Sequence, residues 1–502
     1  MDFDLADRAD STRGNGMHRR TRILFLQPFI MALFACAVCP RSSADVGVIL
    51  NESLDESVAR ITGSGHTAVY FSRICPDSPV KPRLCLPGEN GSVMSNYINL
   101  GEDERYEWNI TPLNLYVYGV EDARNRPVLG SAKIKNLLEK RYRDQVLAAY
   151  CTVQSCLKSD KAEWREMVGA GMIRSMYIFV VETSPQQDLD LIAQFNALPN
   201  ENHFNGFTRN CADFTKNVVD KYFPHSAHRD FLNDFGMTSP KAVARSFSRY
   251  AEDHPESHFR VLHFSQLPGT VKRSTEARNG TEQLYHSKKL LIPMVIFADH
   301  ELPFVAASYL ITGRFNPQHE FEQHATIEAA QVSDPAYRSP GTASAPSRLD
   351  AVQIQEREEI LGTHAEWEKY HKLFETIVGE AVQKEVIPDR SYVKRIFKHL
   401  DESGTPLLDQ RGGLWLEISD SARSSRVGLS FDNIFAPDSD PHLAFELLLA
   451  RINSVLKSPT HSRETMLEFK EDWALLNYAR ARISPLPAMS STHYGTVSGP
   501  AL

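Results

Sequence analysis

The segment Phe204-Asn205-Gly206-Phe207-Thr208-Arg209-Asn210-Cys211-Ala212-Asp213-Phe214 passes from a Gly-containing loop to a helical pattern at one residue, Cys211. Phe214, Val218 and Tyr222 follow at helical spacing, so an amphipathic helix begins here with its apolar stripe turned to a core. A thiol at that position feels the positive end of the helix dipole, which favours the thiolate, the nucleophilic form. A free cysteine is more often a small, inert core residue. The rest of the chain has to decide between the two.

Arg19, Arg20 and Arg22 precede an apolar run from Ile23 to Val38, and Ser42-Ser43-Ala44 supplies small residues before Asp45. This is the layout of a secretory signal, so residues 1–44 are expected to be a signal peptide cleaved after Ala44. The run is short for a membrane span and Gln27-Pro28 interrupts it. The chain is therefore expected to be exported, periplasmic or secreted. Of seven cysteines, Cys36 and Cys39 fall in the signal. Cys75 and Cys85 flank a Pro-rich loop, and Cys151 and Cys156 flank a short polar segment. Both pairs are candidate local disulfides in an oxidising compartment, which leaves Cys211 as the odd thiol. Sequons at Asn51, Asn90, Asn109 and Asn279 matter only in a host that glycosylates.

The formal charge of −8 and the lack of a basic tract argue against nucleic acid as a partner. The length exceeds one ordinary core. Residues 45–265 mix strands and helices. Strands are expected at 67–71, 113–120 and 172–182, and helices at 132–149, 187–198 and after Cys211. Another helix starts at Ser239, its N-cap, with Pro240 at the first position. In 266–336, two apolar runs between Lys288 and Thr312 are split by Asp299-His300-Glu301. Core strands, or an amphipathic hairpin at a membrane surface, fit that split better than a span. Residues 337–347 have linker composition. Residues 348–502, with helices expected over 352–383, 443–456 and 462–481, form a C-terminal accessory module, α/β or mostly helical.

A cysteine hydrolase needs a base beside the thiolate and a group to orient that base. His66 in Gly63-Ser64-Gly65-His66-Thr67-Ala68-Val69-Tyr70 is the best candidate, at the head of a strand. Taken alone, a His next to a turn is more often a surface residue. His203 lies in the loop before Cys211, while His225 and His228 read as exposed turn residues. Gly65-His66 at a strand head, followed far downstream by Asn210-Cys211-Ala212-Asp213-Phe214, resembles the circularly permuted papain-like hydrolases. This is the permuted NlpC-type branch that includes the lecithin:retinol acyltransferase-like proteins. The resemblance covers about residues 58–223. It implies an α+β fold with an antiparallel sheet packed on helices, Cys211 as nucleophile and His66 as base. It also implies a peptide, amide or lipid substrate and no cofactor. The family places a polar residue, often His, about a dozen positions after the base. Here that stretch is the Cys75–Cys85 loop, which has no His, and Glu89, Asn96 or another polar group is left for the role.

Two rivals remain. His319-Glu320-Phe321-Glu322-Gln323-His324 suggests a metal hydrolase, but histidines five apart on a helix diverge by roughly 140°, so no metal site is expected. The other rival is a non-catalytic exported scaffold that carries a degenerate papain-like domain.

Overall fold

The computed structural model describes residues 44–54, 63–96, 106–150, 163–201, 205, 208–286, 307, 309–324, 364–420, 423–458 and 463–483. The expected signal, the Cys151–Cys156 pair, His203, the linker and most of the split apolar segment lie outside these residues. Among the described residues, no helix is long and apolar enough to cross a membrane.

The fold is mixed α+β. Its centre is a six-stranded sheet of β1 (Ala44–Asn51), β2 (His66–Phe71), β5 (Ser92–Ser95), β6 (Asn109–Pro112), β7 (Met176–Thr183) and β8 (Arg260–Phe264). The order is β6-β5-β2-β1-β7-β8 and every pairing is antiparallel. A hairpin of β3 (Ile74–Ser78) and β4 (Lys81–Leu84) follows β2. Cys75 and Cys85 are bonded across it, as their spacing suggested. Replacing both by Ala is expected to cost about 2–3 kcal/mol by loop-closure entropy. The urea midpoint of unfolding measures this, and an unchanged midpoint would mean that the hairpin needs no staple.

Strand alternation divides the sheet into two apolar faces. Ile49, Ala68, Tyr70, Ile178 and Val180 face one core, whereas Val48, Leu50, Val69, Phe71 and Phe179 face the other. The first core takes in α1 (Leu113–Tyr118) and α2 (Ala132–Gln145). It runs on without a break into the C-terminal helices α8 (His364–Gln383), α9 (Tyr392–Ser403), α10 (Pro441–Leu456) and α11 (Arg463–Arg482). A three-stranded antiparallel sheet of β9 (Gly404–Leu408), β10 (Leu414–Asp420) and β11 (Arg423–Gly428) lies among those helices in the chain. The second core is closed by α4 (Cys211–Tyr222) and α5 (Pro240–Asp253), with α3 (Pro185–Ala197) contributing Leu191. Two short helices, α6 (Gly280–His286) and α7 (Pro317–His324), complete the described elements, and α7 contributes Phe321.

The residues 113–120 are not the expected strand. Leu113–Tyr118 form α1, every residue of which is buried, capped by Gly119 at φ 76° in the left-handed region. A helix buried on all sides shows no amphipathic period, and its Leu, Tyr and Val content then reads as a strand. The central strand β1 is a second difference, because it starts where processing was expected and was not read as a strand. The Ser239 cap with Pro240 after it is observed as expected, with Ser239 Oγ accepting from the Ala242 N–H at 3.2 Å. Of the four sequon asparagines, Asn51, Asn109 and Asn279 are buried, which leaves Asn90 accessible to modification in the folded chain.

Candidate active site

Asn210 explains why α4 begins where it does. Its Oδ1 accepts from the N–H groups of Ala212 at 2.8 Å and Asp213 at 2.9 Å. Asp213 reciprocates by accepting the Asn210 N–H at 3.3 Å, which completes a capping box. Arg229, at 2.7 Å, and the Thr238 hydroxyl, at 2.6 Å, both donate to the other Asp213 oxygen, Oδ1. Asn210 Nδ2 donates to the Thr238 carbonyl at 3.0 Å. The Asn and Asp of the Asn-Cys-Ala-Asp stretch are thus cap residues that fix Cys211 at the first helical position.

Helix α4 packs on the start of β2. The backbone N–H groups of Thr67, the residue next to His66, of Ala212 and of Cys211 itself act on the Cys211 sulfur in favour of its thiolate. Cys211 is the free cysteine among the described residues and is half-buried. Burial pushes its thiol up to about 11. The three N–H donors pull the other way, and Glu166 adds to the rise. Desolvation thus works against the resting thiolate that the dipole favours. A helix terminus contributes about 0.3–1 kcal/mol, and desolvation of a thiolate outweighs that.

His66 opens β2, pairing with Asn51 of β1, which in turn pairs with Met176 of β7. Gly65 before it has φ 70°, and a Cβ there would lie 2.2 Å from the Asn51 carbonyl oxygen, so the approach to His66 requires glycine. His66 is buried, not a surface residue. Burial lowers its pKa to about 4, with Glu166 acting upward and Arg174 further downward. His66 is in phase with Ala68 and Tyr70, on the face of the first core, whereas α4 packs on the second. By phase the two candidates therefore belong to opposite faces of the sheet, with α4 packed against the strand that His66 opens. Gathered on the His66 face are Asn51, whose Nδ2 donates to the Tyr116 hydroxyl at 2.8 Å, and the buried Arg174, ion-paired with Glu166. Sequence reasoning missed these four. Asn51 was noticed only as a sequon, and Glu166 sits in a charged stretch with no period to mark it.

The two sequence candidates for the orienting role have other work. Glu89 ion-pairs with Arg83 at 2.7 Å and accepts the Leu86 N–H at 2.6 Å in the disulfide hairpin. Asn96 Nδ2 donates to the Glu107 carbonyl at 2.6 Å. His225 and His228 are exposed, as expected. His319 is exposed and contacts Gln323, and it does not join His324. His324 instead faces Glu252 at 3.2 Å, and these two and Glu320 hold ligand atoms within 4.8 Å of one another. Burial and the Glu252 carboxylate raise Glu320 to about 7. At that value a proton shared with Glu252 relieves the repulsion of the carboxylate pair.

No family model, curated protein or solved structure matches the chain.

Proposed function

We propose that the chain is an exported thiol hydrolase, an amidase, peptidase or acyltransferase acting on cell-wall peptides or lipids. Cys211 is its nucleophile and His66 its base, after the pattern of the permuted papain-like proteins it resembles. The observation that carries this reading is the packing of α4, with Cys211 at the first position of a capped helix, on β2, the strand that His66 opens. The Cys75–Cys85 disulfide supports a location outside the reducing cytosol.

Both groups rest neutral at physiological pH, so the base must act during the reaction. His66 takes the Cys211 proton as the sulfur attacks an amide or ester carbonyl carbon. The Cys211 N–H lies at a helix start, where it can donate to the oxyanion. The C–N or C–O bond then breaks, the imidazolium returns its proton to the leaving group, and a thioester remains. Water or an acceptor alcohol or amine cleaves the thioester.

Two observations favour the scaffold reading instead: His66 is in phase with the face opposite α4, and burial pushes the thiol up. Turnover separates the two. Purified protein is assayed against peptidoglycan fragments, peptide amides and phospholipid esters, alongside Cys211→Ser and His66→Ala. The expected result is turnover by the parent that falls on the order of 10³-fold or more in each variant. Equal rates in all three proteins would leave the scaffold.

A further inference from the structure

Nine large hydrophobic side chains stand exposed among the described residues, and five of them gather on three segments that are bonded to one another. Phe231, at 73% exposure, Leu232 and Phe235 lie in the loop 230–236, Tyr285 near the end of α6, and Leu310 in the single π-helical turn Tyr309–Gly313. The Asn233 carbonyl accepts the Thr281 N–H at 2.8 Å, and Asp234 Oδ1 accepts the Gly280 N–H at 2.9 Å. Asn279 Nδ2 donates to the Gly313 carbonyl at 3.1 Å, and the Tyr309 hydroxyl donates to Glu282 at 2.7 Å. Asp230 pins the loop by accepting the Asn233 N–H at 3.0 Å and its Nδ2 at 2.7 Å. Phe235 sits at φ 53°, in the left-handed region that a bulky residue avoids, and the Phe231 ring lies against Gly236. The polar side chains of the loop are thus bonded within the protein while its aromatic ones meet water. An apolar cluster exposed on so fixed a frame marks an interaction surface.

We propose that Phe231, Leu232, Phe235, Tyr285 and Leu310 form a docking surface for a phospholipid bilayer. Aromatic and aliphatic side chains of this kind enter the zone between headgroups and acyl chains, where each gains by leaving water. The sequence between α6 and the Tyr309 turn argues for lipid as the occupant. It is apolar over Leu290–Ala298 and Leu302–Thr312, with Asp299-His300-Glu301 between the runs, and both of its neighbours in the chain, Tyr285 and Leu310, belong to the exposed cluster. Lys288, Lys289 and Arg314 flank the runs, and cations beside apolar residues complement anionic headgroups. The three acidic side chains of the segments have partners inside the protein: Asp230 pairs with Arg245, Asp234 accepts the Ser239 hydroxyl at 2.7 Å, and Glu282 pairs with Lys241 at 2.8 Å. None of them is left to repel an anionic surface. The loop is also joined to the cap of α4 from both sides, since Arg229 and Thr238 both donate to Asp213. A bilayer seated on it therefore lies on the side of the fold where α4 begins. The docking does not depend on whether Cys211 is a nucleophile.

The test uses the full chain, the triple variant Phe231→Ser, Leu232→Ser, Phe235→Ser, and the single variants Phe231→Trp and Cys211→Ser. Vesicles are phosphatidylcholine mixed with phosphatidylglycerol, and circular dichroism checks folding. In co-sedimentation the triple variant is expected to bind vesicles on the order of 100-fold more weakly than the parent, because three large apolar groups no longer enter the interface. If the triple variant does not fold, Phe231→Trp decides. Its added fluorescence is expected to be open to aqueous acrylamide before vesicles are present and to be quenched by brominated phosphatidylcholine once they are. That readout is local, so a segment elsewhere in the chain does not mimic it. Equal sedimentation of parent and triple variant, or no quenching by brominated lipid, overturns the proposal. So does shielding from acrylamide without vesicles, which would mean that residues 288–308 or a second copy of the chain cover the cluster, and light scattering tells those two apart. Cys211→Ser is expected to bind vesicles like the parent. Vesicle binding without turnover would sink the hydrolase reading alone, and turnover without vesicle binding would sink the docking alone.

Discussion

Arg451→Met alone is expected to destabilise the protein by about 3–5 kcal/mol, because it strands a buried carboxylate. Arg451 is 1% exposed and donates to Asp472, itself fully buried, at 2.6 Å. A second guanidinium nitrogen reaches the Val128 carbonyl at 2.7 Å, and the group lies 5.4 Å from the centre of the Phe431 ring. One side chain therefore joins α10, α11 and a segment more than three hundred residues earlier in the chain. Asp472 is already raised to about 6 by burial, with Arg451 opposing that rise, so losing Arg451 removes the group that keeps it ionised at neutral pH. The double variant Arg451→Met, Asp472→Leu is expected to recover most of the loss, since a well-packed apolar pair replaces a buried ion pair at little cost or a gain. Urea unfolding of the two variants at neutral pH measures this. A double variant as weak as the single one would place the cost in the lost Val128 bond and the Phe431 contact instead of in the stranded charge.

That tie bears on how much of the molecule was legible beforehand. Helices with local signals were legible: Ser239-Pro240 and Asn210-Cys211-Ala212-Asp213 carry their own caps, and capping is decided within a few residues. The Cys75–Cys85 bridge was legible for the same reason, its partners being ten residues apart. What failed was non-local. Helix α1 is buried on every side by elements far away in the sequence, so its pattern carried no face. Strand β1 is central only because β2 and β7 flank it, which its eight residues cannot announce. The neighbourhood of the candidates divides along the same line. Cys211 and His66 stand at element starts that local sequence marks, whereas Glu166 and Arg174 pair with one another across a turn and the entry to β7. The ionisation of Cys211 divides in the same way, because the helix dipole is a local property and the desolvation that raises the thiol is a tertiary one.

Cys211 is accordingly expected to react with iodoacetamide about 100-fold more slowly at neutral pH than an ordinary cysteine, because a pKa raised from 9 to about 11 leaves one hundredth of the thiolate. The sign follows from the direction of the shift. A raised thiol pKa keeps the protonated form through the neutral range, and the rate climbs tenfold per pH unit until it levels near pH 11. His66, lowered to about 4, stays neutral over the same interval. Between roughly pH 4 and pH 11 the resting pair is therefore thiol and imidazole, with the base ready to accept a proton and none yet transferred. If the pair is catalytic, its turnover should rise as pH increases through about 4 and then hold a broad plateau, not a bell centred near neutrality. Slow alkylation together with that plateau would separate a base that works only when substrate arrives from a preformed thiolate–imidazolium pair. Fast alkylation at neutral pH, with an inflection near 6 or 7, would mean that the thiolate is stabilised more strongly than the Thr67, Ala212 and Cys211 N–H groups can account for.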